Sequence, residues 1–225
     1  MADVTVHHLG RSRSHRILWL LEELGVDYEL RGYDRDPETL RAPASLRQVH
    51  PLGRAPVVEV DGVVLAESGA VIEELLDRFG PAGLRPEAGT DAHRRFRFFL
   101  HYAEGSLMPP LLVALILRRI ETAPLPFFIK PVARGIAQRV KGAYAEPEAR
   151  NHLSFLEAEL ADRPWFTGDA FSAADIQMTY PLEGAEHRGP LVEGDYPRLR
   201  AFLAKARDRP AYRRAIERGG PVNLG

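Results

Sequence analysis

The chain opens on Val4-Thr5-Val6-His7-His8-Leu9, a run of alternating strand-forming residues that Gly10 breaks. Ser12 and Ser14 then stand ahead of a dense apolar stretch, Ile17 to Leu21 and Leu24, in which Glu22 and Glu23 keep one face wet. That pattern predicts a helix with a serine cap and Gly25 at its C-terminal end. Tyr28 to Tyr33 predicts a second strand, so strand, helix and strand follow at βαβ spacing. A polar segment with Pro37 and Pro43 predicts a short irregular helix ending near Leu46. After the loop His50 to Pro56, Val57 to Val60 and Val63 to Leu65 flank Asp61-Gly62, a two-residue hairpin signal. Val71, Ile72, Leu75, Leu76 and Phe79 share one face of a helix predicted from Ala70 to Phe79.

The pattern changes at Gly80 to Gly89, which is rich in Gly and Pro, has no apolar period and reads as a linker. Beyond it every periodic segment is helical. Helices are predicted from Thr90 through Tyr102, with a kink at Pro109-Pro110, and over about 127–143, 147–160, 171–182 and 197–209. A mixed strand-and-helix half followed by helices alone predicts two domains, 1–80 and 90–225.

Composition narrows the chemistry. In 225 residues, 45% hydrophobic and 27% charged, there is material for a real core. The formal charge of -1 is unlike that of a strongly basic nucleic-acid binder. The absence of cysteine excludes disulfides, thiolate metal sites and protein-thiol redox chemistry. His7, His8 and His15 make no metal set, because adjacent strand residues point to opposite faces. The longest apolar run, Leu111 to Leu117, is too short to span a bilayer, and no signal core opens the chain. The expectation is a cytoplasmic protein with neither a nucleic-acid nor a membrane partner. Ser172 and Asp175, flanked by Phe171 and Ile176, read as a helix capping box, a folding device.

Three segments carry a likeness: VTVHHLGRSRSHRILWLLEELGVDYEL, HPLGRAPVVEVDGVVLAESGAVIEELLDRFG and WFTGDAFSAADIQM. In order and spacing they resemble the glutathione S-transferase family, in its cytosolic, serine-type, theta-like microbial branch. The resemblance implies an α/β thioredoxin-like domain followed by an all-α bundle, and a homodimer. It implies glutathione as co-substrate, no metal, and conjugation of the glutathione sulfur to a small-molecule electrophile in detoxification. A non-catalytic glutathione-binding module and a glutathione-dependent peroxidase or disulfide reductase are the alternatives on the same fold.

The resemblance also assigns residues. Ala55-Pro56 would be a cis bond that leaves the Val57 backbone free to pair with the cysteinyl unit. Glu67 and Ser68, at a helix N-terminus, would take the γ-glutamyl ammonium and carboxylate. His50 and Arg54 would hold the glycyl carboxylate. Ser12 would donate to the glutathione sulfur, with Ser14 as rival and Arg13 or Arg11 as cationic alternatives. Lowering a thiol from about 8.5 to about 7 needs about 2 kcal/mol, within reach of one charge-assisted hydrogen bond. His101, Tyr102, Ser106, Leu107 and Pro109 are the candidate electrophile pocket.

Overall fold

The computed structural model describes residues 2–39, 41–80, 83–188, 190–191 and 194–222. Strands β1 (Val4–Leu9), β2 (Glu29–Tyr33), β3 (Val57–Val60) and β4 (Val63–Ala66) form one sheet in the order β2-β1-β3-β4. β1 runs parallel to β2 and antiparallel to β3, and β3 pairs antiparallel with β4. Helix α1 (His15–Leu24) makes the crossover between the parallel strands, and Gly25 closes it in the left-handed conformation at φ 66°. Every residue of β1 is buried, as a central strand requires, and its histidines are buried with it. Helices α2 (Ala44–Val49) and α3 (Ser68–Phe79) complete the N-terminal domain, α3 beginning two residues before the pattern predicts.

The linker is pinned. Leu84 is buried in the core, its carbonyl accepts from the Ala173 amide, and Arg85 pairs with Asp77. Pro81 and Ala82 of the predicted linker lie outside the described residues, as do Met1 and residues 223–225 of the predicted domains.

The helical domain contains α4 (Asp91–Tyr102), α5 (Met108–Thr122), α6 (Lys130–Val140), α7 (Glu146–Glu159), α8 (Ala173–Arg188), α9 (Pro197–Arg207) and α10 (Pro210–Gly219). The Pro109-Pro110 interruption is milder than predicted. A wide π-helical stretch, Ala103–Leu107, joins α4 to α5, so the helical run continues from Asp91 to Thr122. A second such stretch, Lys141–Ala145, joins α6 to α7 and also ends two residues before a proline, Pro147. Prolines carry no amide hydrogen, and the widened turns absorb the change in hydrogen-bond pattern. By length and composition alone the run Asp91–Thr122 is long and apolar enough to cross a bilayer. Phe96, Phe99, Leu100, Leu107 and Leu111 in that run belong to the main core, however.

Helix α10 is not among the predicted elements. It packs on α1, where Arg209 chelates Glu23 at 2.6 and 2.7 Å and Arg214 bonds Glu22 at 2.7 Å. The chain end is thereby fastened to the N-terminal domain. At the start of α8, Ser172 donates to Asp175 Oδ2 at 2.9 Å, and the Ser172 and Phe166 amides donate to the same carboxylate at 2.8 Å each. The carboxylate half of the predicted capping box is present, and Phe171 and Ile176 both pack into the main core.

Candidate active site

The loop after β1 and the first turn of α1 bring Ser12 and Ser14 together, Oγ to Oγ at 2.7 Å. Ser14 Oγ also meets His8 Nδ1 at 2.9 Å, and His8 Nε2 meets the Gly219 carbonyl at 2.8 Å. A carbonyl only accepts, so His8 Nε2 carries the hydrogen. Burial pushes the His8 pKa down despite the Gly219 bond, and the ring is neutral. Nδ1 is then an acceptor and Ser14 donates to it. Ser14 Oγ in turn accepts from Ser12, while Ser12 Oγ accepts from the Ser14 amide at 3.2 Å. The result is a directed chain from Ser12 through Ser14 and His8 to the end of α10. It fits tightly: a Cβ on Gly219 would lie 2.4 Å from Leu18 Cδ1 and 3.3 Å from the His8 ring.

Two adjoining cavities share Arg13, Leu52, Arg54 and Ala55, and Ser12 walls the larger. The larger, of about 560 Å³, is walled by Ser12, Arg13, Arg35, Arg47, Arg54 and Tyr180, with Arg41 and Ala55 also on its lining. The smaller, of about 370 Å³, shares Arg13, Arg54 and Ala55 and continues to His50, Pro56, Glu67 and Ser68. Glu67 sits at φ 73°, a left-handed conformation rare for a side-chain-bearing residue, immediately before α3. Ser68 is the first residue of that helix, where unpaired amides and the helix dipole favour an anion.

Between the domains, Glu104 binds Arg13 at 2.9 Å and Arg16 at 2.7 Å. Burial raises the Glu104 pKa, but Arg16 and Arg13 outweigh it and hold the carboxyl below its usual value. Arg16 is buried, donates to Gln177 Oε1 at 2.6 Å, and lies 4.6 Å from the centre of the Tyr180 ring. This cluster fixes the helical domain against the Ser12 loop.

The geometry agrees with comparisons to known proteins. Residues 3–76 match the model of the glutathione S-transferase N-terminal domain, and residues 115–205 that of the C-terminal domain. Glutathione S-transferase 1 of Saccharomyces cerevisiae is 34% identical over 222 residues, covering 96% of this chain and 94% of that protein. The chain belongs to the glutathione S-transferase family. A crystal structure of a glutathione S-transferase from Actinobacillus pleuropneumoniae superposes with TM-score 0.81 at 34% identity, over 98% of this chain and 95% of that one. A sphingomonad glutathione S-transferase complexed with glutathione gives 0.72 at 25% identity, over 96% and 98%.

The transferase fold brings together most of the residues singled out in the sequence. Ser12, Arg13, His50, Arg54, Ala55, Pro56, Glu67 and Ser68 all wall the joined cavities. The Ala55–Pro56 bond is cis. Val57 is buried, in register with His7 and Ala66, and its side chain walls neither cavity. Ser14, placed among the ligand contacts by the sequence reading, is fully buried and makes no cavity wall.

None of the residues expected to form the electrophile pocket walls the joined cavities. His101, Tyr102 and Ser106 line a separate hollow with Phe98, which Ser12 does not wall. Leu107 is core, Pro109 is exposed, and neither walls a cavity at Ser12. Tyr102 stacks on Phe98, meets Phe155, and bonds His152 at 2.5 Å, so it serves an aromatic cluster. The helical domain reaches the cavities instead through Glu104, Leu112 and Tyr180. Glu104 lies in the same stretch of sequence, and its carboxylate meets Arg13 and Arg16. Tyr180, Arg35, Arg41 and Arg47 had no local motif to mark them. His8 was visible as a strand histidine, without the partners that give it a role.

Proposed function

We propose that the protein binds glutathione across the two joined cavities and transfers its sulfur to small electrophiles. The observation that carries this reading is the placement of Ser12 on one wall, with Glu67 and Ser68 at the far end beside the start of α3. Ser68 and the α3 amides suit the γ-glutamyl carboxylate, and the Glu67 carboxylate suits the ammonium. The Val57 backbone is read as the partner of the cysteinyl unit. Arg54 and His50 suit the glycyl carboxylate, with Arg47 as a second cation.

Ser12 turns its hydroxyl from Ser14 to the sulfur and favours thiolate over thiol. The thiol proton leaves to solvent, and the sulfur lone pair forms the new bond to an electrophilic carbon. A leaving group departs with its bonding electrons, or in an addition the adjacent carbon takes a proton from water. The electrophile is proposed to enter beside Tyr180 and Leu112. We further infer a cytoplasmic, detoxifying homodimer without a nucleic-acid partner. The exposed edge strand β4, with Val63 and Val64 half out, is a surface that such pairing would cover.

The test is glutathione binding by calorimetry, with conjugation of an activated aryl chloride measured beside it. Glu67→Ala should weaken binding at least about tenfold, since a charge-assisted bond is worth about 1.5–3 kcal/mol. An unaltered dissociation constant would overturn the γ-glutamyl assignment, and binding without conjugation would make the protein a carrier.

A further inference from the structure

Ten of the fifteen large apolar side chains left exposed among the described residues lie between Leu112 and Tyr144, on α5, α6 and their connections. They are not scattered. Leu112, Ile116 and Ile120 recur every fourth residue on α5, and Val132, Ile136 and Val140 do so on α6. The two helices are joined by residues 123–129 and pack against each other through Leu117 and Ala137, members of a small core of their own. Each exposed set stands five and one positions before, and three after, that seam residue. Two antiparallel helices facing each other at equal offsets present those residues on the same side. The hairpin therefore carries one continuous apolar face. Its tip is Phe127, 83% exposed, and Phe128, 66% exposed.

The charges along this hairpin are nearly all of one sign. Residues 112–141 contain Arg118, Arg119, Lys130, Arg134, Arg139 and Lys141 against Glu121 alone, in a chain whose formal charge is -1. Arg119 and Arg139 each follow the seam residue by two positions and border the face on its two outer flanks. Both are exposed.

We propose that the α5–α6 hairpin seats the protein on an anionic lipid bilayer, with Phe127 and Phe128 inserted and the flanking cations against the headgroups. An apolar face bordered by arginine and lysine is the pattern of a helix lying in a bilayer interface. A second copy fits poorly, because a two-fold contact would oppose one cationic surface to another. The sequence expectation of no membrane partner rested on the lack of a spanning run, and a hairpin seated on the surface needs none. Leu112, at one end of the face, also walls the smaller cavity, so the seat lies beside the proposed glutathione site. A transferase placed there would draw lipophilic electrophiles from the bilayer. That last clause rests on the glutathione reading, and the docking itself does not.

The test floats the full-length protein with vesicles of phosphatidylcholine, alone or with about 30% phosphatidylserine. Binding to the anionic vesicles is expected, with release in about 0.5 M salt. The paired change Phe127→Ser and Phe128→Ser should weaken it by at least about tenfold, leaving thermal unfolding and glutathione binding unchanged because both rings are exposed. Absence of vesicle binding, equal binding by the variant, or binding indifferent to lipid charge overturns the proposal. A fall in the sedimentation mass of the lipid-free variant would assign the face to a second copy and overturn it too.

Discussion

Removing the Ser12 hydroxyl should raise the pKa of glutathione bound beside it by about one unit. The magnitude follows from the bonds Ser12 already makes. Its hydrogen is held by Ser14 Oγ at 2.7 Å. Turning to the sulfur exchanges a neutral bond, worth about 0.5–1.5 kcal/mol, for one to a charged acceptor, worth about 1.5–3 kcal/mol. The net gain is about 1–1.5 kcal/mol, or about one pKa unit. The exchange leaves nothing stranded, because Ser14 Oγ keeps the Leu9 amide at 3.3 Å and its own bond to His8. Titrating the ultraviolet absorbance of the bound thiolate against pH measures the shift. Ser12→Ala should also slow conjugation about tenfold near neutral pH with affinity nearly intact. Ser14→Ala should behave differently: it frees Ser12 and leaves the thiol pKa low. It strips His8 Nδ1 of its donor and costs about 1–3 kcal/mol of stability. If Ser14→Ala raises the thiol pKa and Ser12→Ala does not, the directed chain from Ser12 to Gly219 is wrong.

Three further outcomes test the frame around the site. Glu104→Ala leaves Arg16 buried beside no carboxylate and should cost about 3 kcal/mol in urea unfolding; a cost near zero would mean that the cluster does not hold the domains. His15 is buried against the edge of Tyr212, and burial pushes its pKa down from 6.5 to about 3. A base depressed in the fold keeps its full stability above 6.5 and loses it as pH falls toward 3, so about 2 kcal/mol should go between pH 7.5 and about 5. His15→Phe should lack that loss, and identical pH slopes for the two proteins would refute it. Ser172→Ala should cost about 0.5–2 kcal/mol and spare conjugation, which kinetics and thermal melts together decide.

Legibility followed the range of the interactions. The residues assigned to glutathione were readable because each sits in a local device. Glu67-Ser68 ends a strand and opens a helix, Ala55-Pro56 opens another strand, and Ser12 fills the turn after the first. The residues expected on the electrophile side wall neither cavity, for the opposite reason. His101 to Pro109 is one segment of helix, and the Pro109-Pro110 pair told where its hydrogen bonding changes, but not which face meets Ser12. Only packing against α1 and α8 decides that Glu104 and Leu112 turn inward while Tyr102 goes to Phe98 and Phe155.

By itself the sequence determined the strand-helix-strand start, the hairpin at Asp61-Gly62, the helical second half and the cluster of polar groups at three chain turns. These are set by periodicity, by backbone preferences of Gly and Pro, and by capping, all of which act over a few residues. The tertiary structure alone decided the rest. It brought Gly219 to His8 across the length of the chain and so gave Ser12 its hydrogen-bond direction. It gathered Arg35, Arg41, Arg47 and Tyr180 around one cavity. It also set two three-residue stripes, each repeating every fourth position, on the same side of a hairpin. Those outcomes depend on which distant surfaces pack, and long-range packing is not written in any local pattern.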